Sequence, residues 1–197
     1  MRGAEQMNHG ERVIYRAVYD SPIGLLTLTA LDDALGALSF PRERYTKDAE
    51  LLKAGKEVCI PPKDRLPAVL RDTFRWLDIY FSGKIPDFMP ALAPQGSEFR
   101  RMVWNQLLKI PYGCTVTYGE LAKAVAYEKG ISRMSAQAVG GAVGHNPIGI
   151  IIPCHRVVGA GGNLTGFGGG IKAKEALLER EGMDMERFYV PTRGTAL

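Results

Sequence analysis

A thiol, an imidazole and a guanidinium stand side by side at Cys154-His155-Arg156, directly after Ile150-Ile151-Ile152-Pro153. The apolar run reads as a buried strand that stops at the proline. A structural cysteine normally sits inside such a run as a small hydrophobe, whereas this one adjoins cationic groups that favour the nucleophilic thiolate. Two readings are open: a reactive thiol, or a half-buried structural cysteine beside a histidine that closes a strand. The other cysteines, Cys59 and Cys114, are distant and the total is odd, so no disulfide framework is expected. His9, His145 and His155 fall in no Cys-x-x-Cys or His-x-x-x-His spacing, so neither a metal site nor a cofactor is expected.

The chain that must position these groups has 197 residues, enough for one large domain or two small ones. Its 46% hydrophobic and 23% charged content is that of an ordinary globular protein. No run approaches the roughly 18 apolar residues of a membrane span, and the start lacks a signal-peptide core. A cytoplasmic protein without a membrane partner is expected. The net charge of +4 is uneven: residues 1–92 carry 13 basic and 13 acidic side chains, residues 93–197 carry 12 and 8. A basic second half favours a polyanionic partner without identifying it.

Residues 1–11 read as a frayed start. Val13 to Tyr19, Leu25 to Ala30 and Leu35 to Phe40 read as three strands, with Ser21-Pro22-Ile23-Gly24 and Asp32-Asp33 as turns, giving a small antiparallel meander. Pro67 stands at the first position of a helix whose Val69, Leu70, Phe74, Leu77 and Phe81 form a core stripe ending at Gly83. The proline- and glycine-rich stretch 83–96 reads as an interdomain crossing, with the boundary at 92/93. Ser97 caps a helix carrying Phe99, Val103 and Leu107 on one face. Thr117-x-x-Glu120 is a capping box that opens a helix from Tyr118 to Ala126. A turn at Glu128-Lys129-Gly130 leads to a second helix, from Ser132 or Ser135 to Gly144. Two short helices and a tight turn in the basic half suggest a helix-turn-helix. The glycines of the second helix cost about 1 kcal/mol each relative to alanine, so they need a reason. Packing against a neighbouring helix and close approach to a nucleic-acid backbone both supply one. The loop from Gly159 to Gly170 has seven glycines but no Walker spacing. Ile171 to Glu181 reads as a last helix stopped by Gly182, and 183–197 as an uninformative, partly disordered tail.

Tyr118-Gly119-Glu120-Leu121-Ala122, Ala138-Val139-Gly140-Gly141-Ala142, Asn146-Pro147, Pro153-Cys154-His155-Arg156-Val157 and Lys174-Glu175-Ala176-Leu177-Leu178 through Glu181-Gly182 occur in this order. In order and spacing they resemble the O6-alkylguanine-DNA alkyltransferases over residues 97–182. The first half resembles that family's variable N-terminal domain only in its strand order and its Ser-Pro-x-Gly turn. The resemblance implies an α/β (α+β) protein: a ribonuclease H-like antiparallel-sheet domain over 1–92, then a mainly helical winged-helix or helix-turn-helix-like domain over 93–182. It further implies a monomer that binds duplex DNA containing O6-alkylguanine, flips the base out and moves the alkyl group irreversibly onto Cys154. O6-methylguanine is the main substrate implied, with O4-methylthymine a second candidate. His155 and Glu181 would take the thiol proton, Asn146 would brace the turn, Tyr118 would protonate the leaving guanine, and Lys174 would support the site. Arg133, Gln137, Ala138, Gly140 and Gly141 would face DNA. Phe167 and the backbones of Cys154, Val157 and Gly168 would hold the base.

The chain departs from the family pattern at three of these positions. Gln137 stands where many members have an arginine that fills the gap in the base stack, and it lacks the delocalised cation; Arg133, one helical turn earlier, is a substitute. Gly168 replaces a common serine and Phe167 a common tyrosine. Among alternatives, a lesion sensor of the alkyltransferase-like kind lacks the cysteine that this chain has. A thiol hydrolase would have no need of a helix-turn-helix, and a methylation-sensing regulator would need a further DNA-binding domain.

Overall fold

The computed structural model describes residues 13–41 and 57–191; the opening residues read as a frayed start lie outside them. Strands β1 (Val13–Ser21), β2 (Gly24–Leu31) and β3 (Ala34–Ser39) form the expected antiparallel meander. At the first turn the Ser21 hydroxyl donates to the Gly24 carbonyl (2.6 Å) and accepts from the Ile23 N–H (3.3 Å). A fourth strand, β4 (Glu57–Cys59), pairs parallel with β1 and completes the order β3-β2-β1-β4. Its three residues are too short to show a period.

The remaining edge of the sheet is what joins the two halves. Strand β3 is bonded to the 83–96 crossing through Leu35, whose N–H donates to Ala91 O and whose carbonyl accepts from the Ala93 N–H, both at 2.8 Å. Further along, the Leu38 N–H donates to Pro147 O (2.9 Å) and Leu38 O accepts from the Gly149 N–H (3.0 Å). Unpaired strand groups need partners, and these come from the segment that leads to Cys154. Helix α1 (Ala68–Phe81) begins one residue after Pro67, which is its N-cap, and buries Val69, Leu70, Trp76, Leu77, Tyr80 and Phe81. Phe74 is only half-buried and Tyr80, outside the expected stripe, is fully buried.

Helix α2 (Glu98–Leu107) starts at Ser97, whose hydroxyl accepts from the Arg100 N–H. The two-residue strand β5 (Val116–Thr117) pairs parallel with β6 (Val157–Val158) on the far side of Cys154. Thr117 and Glu120 form the capping box of α3 (Tyr118–Lys129). This helix runs past Ala126 and through Glu128 and Lys129, because Gly130 adopts the left-handed φ of 67° that closes it. Ser135, not Ser132, caps α4 (Ala136–Gly144), so Arg133 lies in the loop before that helix rather than one turn earlier on it. The Trp104 indole donates to Ala142 O (2.9 Å) and locks α4 to α2. Helix α5 (Ile171–Arg180) ends with Glu181 as its cap and Gly182 at φ 77°.

The tail does more than expected, since residues 183–191 fold back onto the glycine loop. The Leu164 N–H donates to Tyr189 O (2.9 Å) and the Tyr189 N–H to Gly162 O (3.1 Å). Met183, Met185 and Phe188 cover Val158, Leu164 and Leu178. Gly162 has φ 87°, and a Cβ there would land on the Arg187 carbonyl. Gly162→Ala is therefore expected to lower stability by about 1–3 kcal/mol in urea unfolding and to strip the Tyr189 amide of its hydrogen-exchange protection. Unchanged protection would show that the tail does not depend on this contact.

Candidate active site

The isoleucines before Cys154 are buried as expected, but they do not form a strand. Ile150 has φ 65°, the Ile151 N–H donates to Gly149 O (2.7 Å), the Ile152 N–H to Ile148 O (3.1 Å) and the Cys154 N–H to Ile152 O (2.8 Å). An apolar run reports burial and leaves the backbone path open. Here the path is set by Asn146, which is fully buried. Its Oδ1 accepts from the Ile148 N–H (3.1 Å), and its Nδ2 donates to Ile152 O (2.7 Å) and faces Ile148 O (3.3 Å) and the Cys154 sulfur (3.1 Å). One amide thus closes the turn and touches the thiol.

Cys154 opens a single 3-10 turn, Cys154–Arg156, and is 8% exposed. It lines a cleft of about 280 Å³, counted to its open mouth, together with Phe40, Val143, Gly149, Phe167 and Gly168. His155 turns the other way, is fully buried, and places Nε2 2.7 Å from Glu181 Oε1. Oε1 also accepts from the Tyr80 hydroxyl (2.9 Å) and Arg156 Nη2 (2.9 Å); Oε2 accepts from Arg156 Nε (2.8 Å) and the Gly113 N–H (3.1 Å). Burial pushes the Glu181 pKa up, but the hydrogen bonds from His155 and Arg156 outweigh it and hold it at about 2. Burial lowers the pKa of His155 against the pull of Glu181, so the imidazole is neutral at neutral pH. With a charged acceptor at Nε2, the proton sits on Nε2 and the lone pair on Nδ1. Nδ1 is buried with no hydrogen-bond partner among the described residues.

The cations are not where the sequence placed them. Arg156 forks onto Glu181 and donates to Ile110 O (2.7 Å), and His155 is neutral, so neither supplies a positive charge at the sulfur. Lys174 does. It is fully buried, and its Nζ donates to Val157 O (2.6 Å) and Thr165 O (3.1 Å). Burial pushes its pKa down to about 8, and charge on Cys154 pulls it back up. The attraction is mutual, so a charged Lys174 favours the Cys154 thiolate. The Tyr118 hydroxyl donates to Thr165 O (3.5 Å). Burial and charge on Cys154 push its pKa up to about 12, which keeps it a donor.

Other expected site residues divide into two places. Phe167 and Gly168 line the cleft, while Val157 is buried behind it with its carbonyl held by Lys174. Arg133, Gln137, Ala138 and Gly141 are exposed around the start and outer face of α4. A Cβ on Gly140 would make ordinary contact with Tyr118 (3.6 Å), and one on Gly141 or Gly144 would meet nothing within 4 Å. Packing against a neighbouring helix therefore does not account for Gly141 or Gly144.

Tyr80 and Gly113 complete the Glu181 site and Phe40 the cleft, none of them read as site residues from sequence, and Arg156, read as a neighbour of the thiol, belongs to Glu181 instead. Tyr80 left one signal: a tyrosine next to a core stripe, if buried, needs a partner for its hydroxyl.

Residues 98–183 match the family model described as 6-O-methylguanine DNA methyltransferase, DNA binding domain, and residues 14–93 match the ribonuclease-like domain of the same family. The methylated-DNA–protein-cysteine methyltransferase of Methanosarcina acetivorans is 40% identical over 170 residues, covering 86% of this chain and 99% of the relative. Its counterpart in Mycobacterium tuberculosis is 41% identical over 167 residues, covering 85% and 91%. The crystal structure of M. tuberculosis O6-methylguanine methyltransferase has a TM-score of 0.68 at 39% identity, covering 85% of this chain and 92% of that one. The structure of M. tuberculosis OGT in complex with DNA has a TM-score of 0.69 at 38% identity, covering 89% and 94%.

The depressed pKa of Glu181 sets a pH dependence. Its stabilisation is full above the ordinary value of 4.5, declines as pH falls toward the folded value of about 2, and is absent below that. Glu181→Gln is expected to cost about 3 kcal/mol near neutral pH and to lose less stability than the wild type over that acid window, measured by urea unfolding. Parallel pH curves for the two proteins would exclude Glu181 as the titrating group.

Proposed function

The chain belongs to the 6-O-methylguanine DNA methyltransferase family, and we propose that it repairs duplex DNA by drawing the alkyl group of O6-alkylguanine onto Cys154, once per molecule. The observation that carries this reading is the recessed Cys154 thiol in its cleft, backed by a neutral His155 whose Nε2–H is fixed by Glu181. A thiol only 8% exposed cannot meet an atom paired and stacked inside a duplex, so the base must leave the stack to react.

In the proposed step the Cys154 proton passes to His155 Nδ1, directly or through one water, and Lys174 stabilises the thiolate. The sulfur attacks the alkyl carbon, the S–C bond forms as the C–O6 bond breaks, and the electron pair stays on the guanine. Tyr118 donates a proton to the departing base and regains one from His155, so the proton lost by the thiol ends on guanine. Asn146 keeps the sulfur aimed into the cleft. The thioether product has no activated leaving group, and single turnover follows.

The outer face of α4, with exposed Gln137, Ala138 and Gly141 and with Arg133 just before it, is the surface for DNA. Small residues admit the phosphate backbone closely, and the basic excess of residues 93–197 makes binding salt-dependent. Gln137 enters the duplex and bonds to the orphaned partner of the flipped base.

Titration with duplex DNA carrying O6-methylguanine, labelled on the methyl group, is expected to put one label on each protein and none on Cys154→Ala. Repeated turnover would refute the reading. Gln137→Ala is expected to slow repair of duplex DNA about tenfold, for one lost set of hydrogen bonds, in single-turnover kinetics. An unchanged rate would remove Gln137 from the flipping step.

A further inference from the structure

The geometry points to Phe40, just past the last residue of β3 in the N-terminal half, as the side chain that limits how large an alkyl group the Cys154 cleft accepts. This rests on the proposed transfer to Cys154 and assigns its selectivity to the half of the chain that carries none of the reacting groups.

Phe40 follows directly after β3 and is 5% exposed. The paired bonds of Leu38 with Pro147 and Gly149 tie the end of that strand to the turn that Asn146 closes beside Cys154. Position of the ring and position of the sulfur are therefore set by one piece of backbone. Phe40 meets Phe167 edge to face, with centroids 5.2 Å apart and planes at 69°. It also lies hard against two backbones: a Cβ on Gly149 or on Gly169 would come within 2.7 Å of the ring. Ordinary Cβ contacts are longer, so both glycines are required to seat this ring, and the ring cannot recede into either loop.

Among the described residues Phe40 and Phe167 are the aromatic side chains that line the cleft, and glycines supply two-thirds of the rest of its wall. A substituent on O6 must lie against the sulfur to react, which brings it into the space these rings bound. A rigid apolar wall separates substrates by size, and a single methylene is worth about 10–200-fold in such a pocket.

The test uses free O6-methylguanine and O6-benzylguanine as alkyl donors, which removes DNA binding from the comparison. Full-length wild type, Phe40→Leu and Phe40→Met are compared by the rate of Cys154 alkylation, with thermal melting of each as a check on folding. Leucine shortens the wall; methionine keeps its bulk but replaces a rigid ring with a flexible chain, and serves if the leucine variant does not fold. The benzyl-to-methyl rate ratio is expected to rise about tenfold or more in Phe40→Leu and by a smaller factor in Phe40→Met. A ratio unchanged in variants that melt as folded proteins would overturn the assignment. Wild type that takes no methyl group from either the free base or methylated DNA would instead refute the transfer reading on which it rests.

Discussion

A carboxylate buried without partners costs several kcal/mol, and Glu181 avoids that cost by gathering five hydrogen bonds. Its donors come from every quarter of the fold: Tyr80 from α1, Gly113 from the turn after α2, and His155 and Arg156 from the turn that carries Cys154. None of these elements can shift without unpairing the charge. The same bonds that hold the two halves together therefore orient the imidazole, and structure and chemistry share a single constraint. Arg156 balances the charge of Glu181, which leaves His155 free to remain neutral.

On the other side of the sulfur the arrangement is built from backbone and amide rather than charge. Asn146 closes the turn, β3 braces it from outside, and Lys174 pins the carbonyls of Val157 and Thr165 so that the glycine loop keeps its place. The loop needs such ties, because glycine gives it little stiffness of its own. The folded-back tail adds a second set through Leu164 and Tyr189. A permissive backbone held at several points can approach a flat base closely and still stay in position.

What was legible in the sequence was local. The meander, the capping box at Thr117 and Glu120, the Ser97 cap and the Gly182 stop are each written within a few residues, and each forms. Cys154, His155, Glu181, Asn146, Lys174 and Tyr118 were expected through the resemblance to a family; the fold puts Cys154 in the cleft, Asn146 against its sulfur and Glu181 on His155. Three features were not legible because they depend on distant partners. Ile150 to Ile152 looked like a strand, since burial alone does not reveal that a side chain eight residues before Cys154 dictates the path. Arg156 looked like a partner of the thiol because it is adjacent in sequence, yet its guanidinium finds Glu181. Tyr80 lay outside the expected stripe and Phe40 read as the end of a strand, and only the closing of the sheet edge onto the 147–149 segment and of α1 onto Glu181 gives them a place at the site.

The role given to Cys154 depends on Glu181 fixing His155 as a neutral imidazole with its proton on Nε2 and its lone pair on Nδ1. Nitrogen-15 NMR of ring-labelled histidine in the unreacted protein reads this directly. One protonated and one bare ring nitrogen are expected for His155 at neutral pH, with the bare one assigned to Nδ1, and protonation of that nitrogen only below the ordinary histidine value of 6.5. Two protonated nitrogens at neutral pH, or a proton on Nδ1, would contradict it.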